Sequence, residues 1–251
     1  PWAEADAAGT DRVDVVIEAF ACDPPAAYLA AFAALANQRQ AAGQRAPAWI
    51  NLEYLSAEAY VQRSHGLPSP QSGGPAAGLT KHFFYPGFTR GTGGVLRCAP
   101  RGERGATPLP LTPQPQRRER LRELTRASAP WPSEAPVISL FCYEPTALAG
   151  LLAQGLGGRP VVLLVAAGRT SQATRAALAR APAATGLHLH AMPLLPQTAF
   201  DEVLRLCDFN FVRGEDSWVS ALRAGQPFLW QAYEQHDHAH HAKVGAFLTW
   251  A

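Results

Sequence analysis

The chain has 251 residues, with 22 basic and 20 acidic side chains and a formal net charge of +2, so no strong overall field exists to recruit a nucleic acid. Hydrophobic residues make up 47% and charged ones 17%, which is enough apolar material for a core and too little charge for a disordered chain. At about 100 to 200 residues per domain the length suggests two domains. Val13 to Phe20 is a β-branched run that predicts a strand, and the alanine-rich stretch Ala26 to Ala42 after Pro24 and Pro25 predicts a helix. Ala48 to Leu55 predicts a second strand, joined to the first by a parallel crossover. Residues 66–94 mix glycine, proline and aromatics without a period and read as a long ordered loop. Ala99 to Pro115 reads as a linker, followed by a charged helix over Gln116 to Arg126.

Beyond Pro136 the alternation becomes regular. Strands are expected at Val137 to Tyr143, Pro160 to Ala167, Leu187 to Leu195, Asp208 to Val212 and Pro227 to Gln231. Helices are expected between them at Thr146 to Gln154, Ser171 to Arg180, Ala199 to Cys207 and Ser217 to Ala224. This is the pattern of a doubly wound α/β domain. The longest unbroken apolar run, Val161 to Ala167, is far short of the roughly 20 residues of a bilayer span. No basic-then-apolar leader precedes Val13, so a cytoplasmic protein with no membrane partner is expected. Cys22, Cys98, Cys142 and Cys207 stand singly with no CxxC and are expected to be buried, reduced thiols. The chain starts at Pro1, carries one methionine and stops straight after the apolar stretch Phe247 to Trp250, which suggests an interior portion of something longer.

Ligands of open parallel sheets bind outside the carboxyl ends of the strands. There this chain places Phe141, Cys142, Tyr143 and Glu144, then Pro196, Gln197 and Phe200, and then Arg213, Gly214, Glu215, Asp216 and Ser217. Aromatics, an amide, a guanidinium and a glycine turn opening a helix suit a nucleotide. A helix start offers unpaired amides and a positive dipole end to a pyrophosphate, and Arg213 can hold phosphate oxygens beside it. The same segment also fits a plain βα turn in which Asp216 or Ser217 caps the helix and Arg213 pairs with Glu215. Phe141, Tyr143 and Phe200 could sandwich a base, with Gln197 reading its polar edge, or could be core. His236, His238, His240 and His241 follow no familiar zinc spacing, so the run reads as a solvated polar helix start and no metal site is expected. No GxSxG, HExxH or SxxK motif is present.

Four long segments occur in order: INLEYLSAEAYVQRSHGLPSPQ from Ile50, GLTKHFFYPGF from Gly78, SLFCYE from Ser139 and FNFVRGEDSW from Phe209. With the stretch from Pro227 to Phe247, they resemble the bacterial arginine rhamnosyltransferases of elongation factor P, the EarP family. The resemblance implies an α/β protein of GT-B glycosyltransferase fold, two Rossmann-like domains facing a cleft, with the N-terminal one incomplete. Residues 1–98 would be the acceptor-side domain, 99–130 the linker and connecting helix, and 131–251 the nucleotide-sugar domain. It further implies inverting transfer of rhamnose from dTDP-β-L-rhamnose to an arginine of elongation factor P, with neither cofactor nor metal. On this resemblance Phe141, Tyr143, Gln197 and Phe200 look like the thymidine pocket, and Arg213 and Ser217 like the diphosphate end. Glu215 and Asp216 look like the catalytic carboxylates, with Asp216 the closer to the chemistry.

Two departures accompany the resemblance. The family opens with a strand and an Asp-bearing glycine loop supplying the proposed general base, and no such motif precedes Val13. Leu194 stands where an aromatic is expected to stack on the thymine. The competing expectation is therefore a non-catalytic remnant that binds dTDP-sugar or elongation factor P without turnover.

Overall fold

The computed structural model describes residues 12–95, 114–155, 157–180 and 182–251, and the chain divides into two compact units. The first comprises residues up to Cys98 together with His236–Ala251, and the second Ala99–Gln235. Two expected boundaries therefore move. Residues 236–251 belong with the first unit rather than the second, and the helix expected to connect the two belongs to the second. Most of the expected linker, and Cys98 with it, lies outside the described residues.

The first unit runs β1 (Val15–Ala19), α1 (Ala26–Ala41), β2 (Ala48–Leu52), α2 (Ala59–Ser64), β3 (Pro68–Pro70) and β4 (Thr80–Phe84). Its sheet has the order β1-β2-β4-β3, with β1, β2 and β4 parallel and β3 antiparallel to β4. The expected β1 to β2 crossover is present. The segment read as a loop over residues 66–94 contains β3 and β4; Pro68 and Pro70 are tolerated in β3 because they lie at the ends of a three-residue edge strand where a missing donor costs little, and β4 pairs with both β2 and β3. Alternation along β1 buries Val16 and Glu18 and exposes Val15 and Ile17. Val16 packs with Trp49 of β2, Phe32 of α1 and Ala76. Glu18 is only 2% exposed, and Lys81 of β4 neutralises it, donating to both carboxylate oxygens at 2.9 and 3.2 Å. Cys22, expected to be buried, is exposed just beyond a turn in which Phe20 and Ala21 both have positive φ.

The second unit continues with α3 (Gln114–Thr125), β5 (Val137–Leu140), α4 (Leu148–Gln154), β6 (Val161–Val165), α5 (Arg169–Arg180) and β7 (Leu187–Ala191). It ends with α6 (Gln197–Leu206), β8 (Phe209–Arg213), α7 (Asp216–Ala224) and β9 (Phe228–Gln231). The order β7-β6-β5-β8-β9, all parallel, is the doubly wound arrangement expected. β5 and β6 are buried at every position, as strands covered on both faces must be. Val162 and Leu164 point to the side of α3 and α6, with Leu121 and Val203. Val161, Leu163 and Val165 point to the side of α4 and α5, with Leu148, Leu152 and Ala177. β5 and β7 end three and four residues earlier than expected, releasing Phe141 to Tyr143 and the 192–195 segment as loops at the sheet's carboxyl end. Finally α8 (Ala239–Trp250) returns to the first unit, where Phe247 and Trp250 meet Phe88 at 5.7 and 4.6 Å.

Strands β5 and β8, neighbours though far apart in sequence, are joined by a buried polar pair. Ser139 Oγ donates to Asn210 Oδ1 at 2.6 Å, and Asn210 Nδ2 donates to the Leu204 carbonyl at 2.9 Å. Both side chains are fully buried. Asn210→Ala is expected to destabilise the second unit by about 1–3 kcal/mol for each buried polar group left without a partner. Urea unfolding checks this, and a change within error of zero would contradict it.

Candidate functional site

The sheet's connections reverse direction between β5 and β8, and the loops leaving these two strands form the rim where a doubly wound sheet binds ligands. After β5 come Phe141, Cys142 and Tyr143; after β8 comes Gly214, and then α7. The backbone of the β5 loop is fastened by side chains from three neighbouring strand ends. Thr170, at the start of α5, accepts from Cys142 N at 3.2 Å and donates to its carbonyl at 2.8 Å. Gln231, at the end of β9, accepts from Tyr143 N at 2.9 Å. From β8, Arg213 Nη1 donates to the same Cys142 carbonyl at 3.1 Å.

Arg213 therefore has a fixed position. Its guanidinium lies 4.3 Å from the Phe141 ring centre and 4.7 Å from that of Tyr143, both within cation–π range. No carboxylate forms an ion pair with it among the described residues, so the pairing with Glu215 that a plain βα turn would supply is not made. Desolvation pulls its pKa below the usual arginine value, yet a guanidinium remains charged. Desolvation likewise raises the Tyr143 hydroxyl, with Arg213 opposing it, so that at neutral pH Tyr143 is a proton donor. Burial pushes the Cys142 thiol up to about 11, which makes it an unreactive filler rather than a nucleophile.

The turn into α7 differs from both expected caps. Glu215 occupies the N-cap position, and no side chain caps the helix. Ser217 turns back instead, accepting from Arg213 N at 3.0 Å and donating to the Arg213 carbonyl. It stiffens the turn rather than satisfying the helix start, whose dipole end points at the rim. Gly214 is required here: its φ is +63°, and a Cβ would lie 2.9 Å from the Tyr143 hydroxyl. The Gly214 carbonyl accepts from Trp230 Nε1 at 2.7 Å, and Trp230 stacks on the buried Trp218 at 4.0 Å. Asp216 is exposed at the first turn of α7, and Glu215 beside it is half-buried.

Of the residues expected in a base pocket, Phe141 and Phe200 meet edge to face at 5.4 Å. The face of Phe141 is occupied by Arg213, so Phe141 and Tyr143 act as the platform for that cation. Gln197 opens α6, is exposed, and donates to Asp201 Oδ1 at 2.9 Å. Leu194 is 90% exposed in the preceding loop. The sequence reading missed Arg169, which sits 5.9 Å from the Tyr143 ring centre and 3.6 Å from Glu144, and it also missed Thr170 and Gln231. All three flank the ends of β6 and β9, so the strand-end rule could have found them had it been applied to every strand. Two cavities lie elsewhere: one of about 580 Å³ is lined by Glu134, Pro136, Arg159 and Pro160, and one of about 360 Å³ lies among Ile138, Leu152, Val161 and Phe209. The first opens among residues that precede β5 and β6, at the opposite ends of these strands from the rim, and the second is almost wholly apolar, so neither belongs to the carboxyl-end rim.

Residues 1–251 match the family model described as "Elongation-Factor P (EF-P) rhamnosyltransferase EarP". A Pseudomonas putida protein named protein-arginine rhamnosyltransferase is 43% identical over 245 residues, covering 94% of this chain and 60% of its own length. Proteins of the same name from Pseudomonas aeruginosa and Shewanella oneidensis are 39% and 36% identical, and 62% and 60% of their lengths are covered. The chain thus spans about 60% of the length of the curated relatives it matches. A solved structure described as "Structural basis for EarP-mediated arginine glycosylation of translation elongation factor EF-P" is similar in fold, with a TM-score of 0.51 and 23% identity over 94% of this chain and 76% of that one.

Gly214→Ala is expected to cost about 1–2 kcal/mol from the left-handed backbone alone. The added Cβ also displaces the Tyr143 hydroxyl, so Tyr143→Phe in the same chain should recover part of the loss. Urea unfolding of the two single variants and the double variant measures this coupling, and strict additivity would mean that the ring does not rest on Gly214.

Proposed function

The chain belongs to the EarP family of elongation factor P rhamnosyltransferases, and from that premise we propose that it transfers rhamnose from dTDP-β-L-rhamnose to an arginine side chain of elongation factor P. The observation that carries this reading is Arg213, a cation that forms no ion pair with a carboxylate among the described residues, locked between two aromatic rings beside a helix start without a side-chain cap at the switch point of a parallel sheet. That arrangement suits a diphosphate. The helix start offers amides and the dipole, Arg213 offers charge-assisted hydrogen bonds, and the Tyr143 hydroxyl donates a further one. Arg213 and the helix start would together stabilise the charge of the leaving diphosphate, and on this reading no metal takes part there. Phe200 and Gln197 would meet the thymine, the ring through its face and the amide through its polar edge.

Transfer with inversion forms a bond from an acceptor guanidino nitrogen to the anomeric carbon while the bond from that carbon to the diphosphate oxygen breaks. dTDP leaves with the electron pair, and the nitrogen's proton passes to a carboxylate. A guanidinium has a pKa of roughly 12.5 to 13.8 and is a poor nucleophile until a base orients it and takes that proton. Asp216, exposed at the first turn of α7, would grip the guanidinium fork in a bidentate pair, with Glu215 adding negative charge beside it. Action on a translation factor would make the protein a cytoplasmic one. No helix among the described residues is long and apolar enough to cross a membrane.

Incubation with dTDP-β-L-rhamnose and elongation factor P should add one deoxyhexose to the acceptor, read by mass spectrometry. Asp216→Asn should abolish the transfer while dTDP binding persists; full activity in that variant would remove Asp216 from the chemistry. Saturable dTDP binding without transfer by the unaltered chain would favour the binding-only reading. Phe200→Ala should weaken dTDP by about 1–3 kcal/mol if the base stacks on that ring, measured by calorimetry with UDP as control, and unchanged affinity would assign Phe200 to the core.

A further inference from the structure

We propose that His238, His240 and His241 form a binding site for a single transition-metal ion of the zinc class at the start of α8. On a regular helix, side chains two residues apart point about 200° away from each other, so His238 and His240 would not meet. They meet here because His238 lies just outside the helix in the left-handed region, φ +60°, which turns its ring back over the first turn. The ring centres of His238 are 6.1 Å from His240 and 5.7 Å from His241, and those of His240 and His241 are 4.2 Å apart. One nitrogen from each ring lies within 4.8 Å of the others. A tetrahedral zinc with bonds of about 2.0–2.1 Å requires its nitrogens roughly 3.3 Å apart, so closure around an ion takes a movement of about 1 Å per ring. His238 and His241 are exposed and His240 half-buried, so small side-chain rotations suffice.

The donor set decides the class of ion. Three imidazoles suit zinc, nickel, copper or cobalt, and offer little to magnesium or calcium, which prefer oxygen. Three protein ligands leave the fourth position to water or to an incoming group. The helix dipole opposes a cation at this end, but Asp237 sets a carboxylate against it and already accepts from Ala239 N at 3.1 Å, fixing the first turn in place. Other histidines have structural duties: His65 Nδ1 accepts from Tyr85 N at 3.1 Å, and His190 bonds the Thr125 carbonyl at 2.9 Å. An ion bound here would tie the segment leading out of β9 to the first turn of α8. None of its ligands belongs to the proposed donor site, so this site stands or falls separately from that reading.

The test is calorimetric titration of untagged, chelator-stripped protein with zinc chloride, with magnesium chloride as control. One zinc ion per chain should bind, zinc should raise the melting temperature, and cobalt should give the intense visible bands of tetrahedral coordination. The His240→Ala/His241→Ala double variant and His238→Asn, which keeps a residue tolerant of the left-handed backbone, should each lose binding and the thermal shift. His236→Ala should retain both. Circular dichroism shows whether the variants remain folded. Absence of saturable zinc binding, an unchanged stoichiometry and affinity in the folded variants, or an octahedral cobalt spectrum would each overturn the proposal.

Discussion

The Ser139–Asn210 pair holds together the two strands on either side of the point where the second sheet reverses its winding, and the candidate site depends on that junction. β5 and β8 have no short connection to align them; some seventy residues separate Ser139 from Asn210. Two buried side chains, the Ser139 hydroxyl donating to the Asn210 carbonyl oxygen and the Asn210 amide donating to the Leu204 carbonyl, make any slip in register costly, because a slip would strand polar atoms in an apolar layer. Once the register is set, Arg213 falls level with the Cys142 carbonyl and the rest of the rim is determined. The junction is therefore where packing becomes chemistry.

Arg213 illustrates how a fold keeps a cation available. An exposed arginine would find a carboxylate or remain mobile in water. Here two ring faces and one carbonyl hold the guanidinium plane without cancelling its charge, because aromatic quadrupoles attract a cation without neutralising it. The uncapped start of α7 follows the same logic. Ser217 would ordinarily bond the helix amides, but it bonds the backbone of Arg213 at both ends instead, so the helix start remains a place for an anion. The first unit handles its buried charge in the opposite way, closing Glu18 against Lys81 in an ion pair and so using it for structure.

Much of this was legible in the sequence. The β-branched runs and the helical stretches between them gave the second unit's order, and the rule about strand ends selected Phe141, Tyr143, Arg213 and the turn before Ser217. What escaped were features without a local signal. Pro68 and Pro70 concealed β3, because an edge strand tolerates a residue that a central one does not, and β4, an internal strand without proline, was hidden among the glycines and prolines on either side of it. The return of α8 to the first unit is decided by the contact of Phe247 and Trp250 with Phe88, a pairing across more than 150 residues that no window of sequence contains. The direction in which Ser217 turns is set by the backbone of β8 and not by its own residue type.

The histidine run shows the same limit from the other side. Spacing alone argues against a metal, because positions 238, 240 and 241 match no single helical face. That reasoning assumes one continuous helix, and the left-handed residue at 238 removes the assumption. A residue other than glycine held at positive φ costs of order 1–2 kcal/mol, and persists only where its surroundings compensate. In Phe20 the compensation is visible as a ring stacked on Tyr54 at 4.3 Å. At His238 the backbone is held by its own carbonyl, which accepts from His241 N at 3.0 Å, and by Asp237, which accepts from Ala239 N at 3.1 Å, while its ring lies beside two other imidazoles. An ion shared by all three rings would add bonding to a turn that the backbone already closes, and the left-handed residue is what lets side chains two positions apart share it.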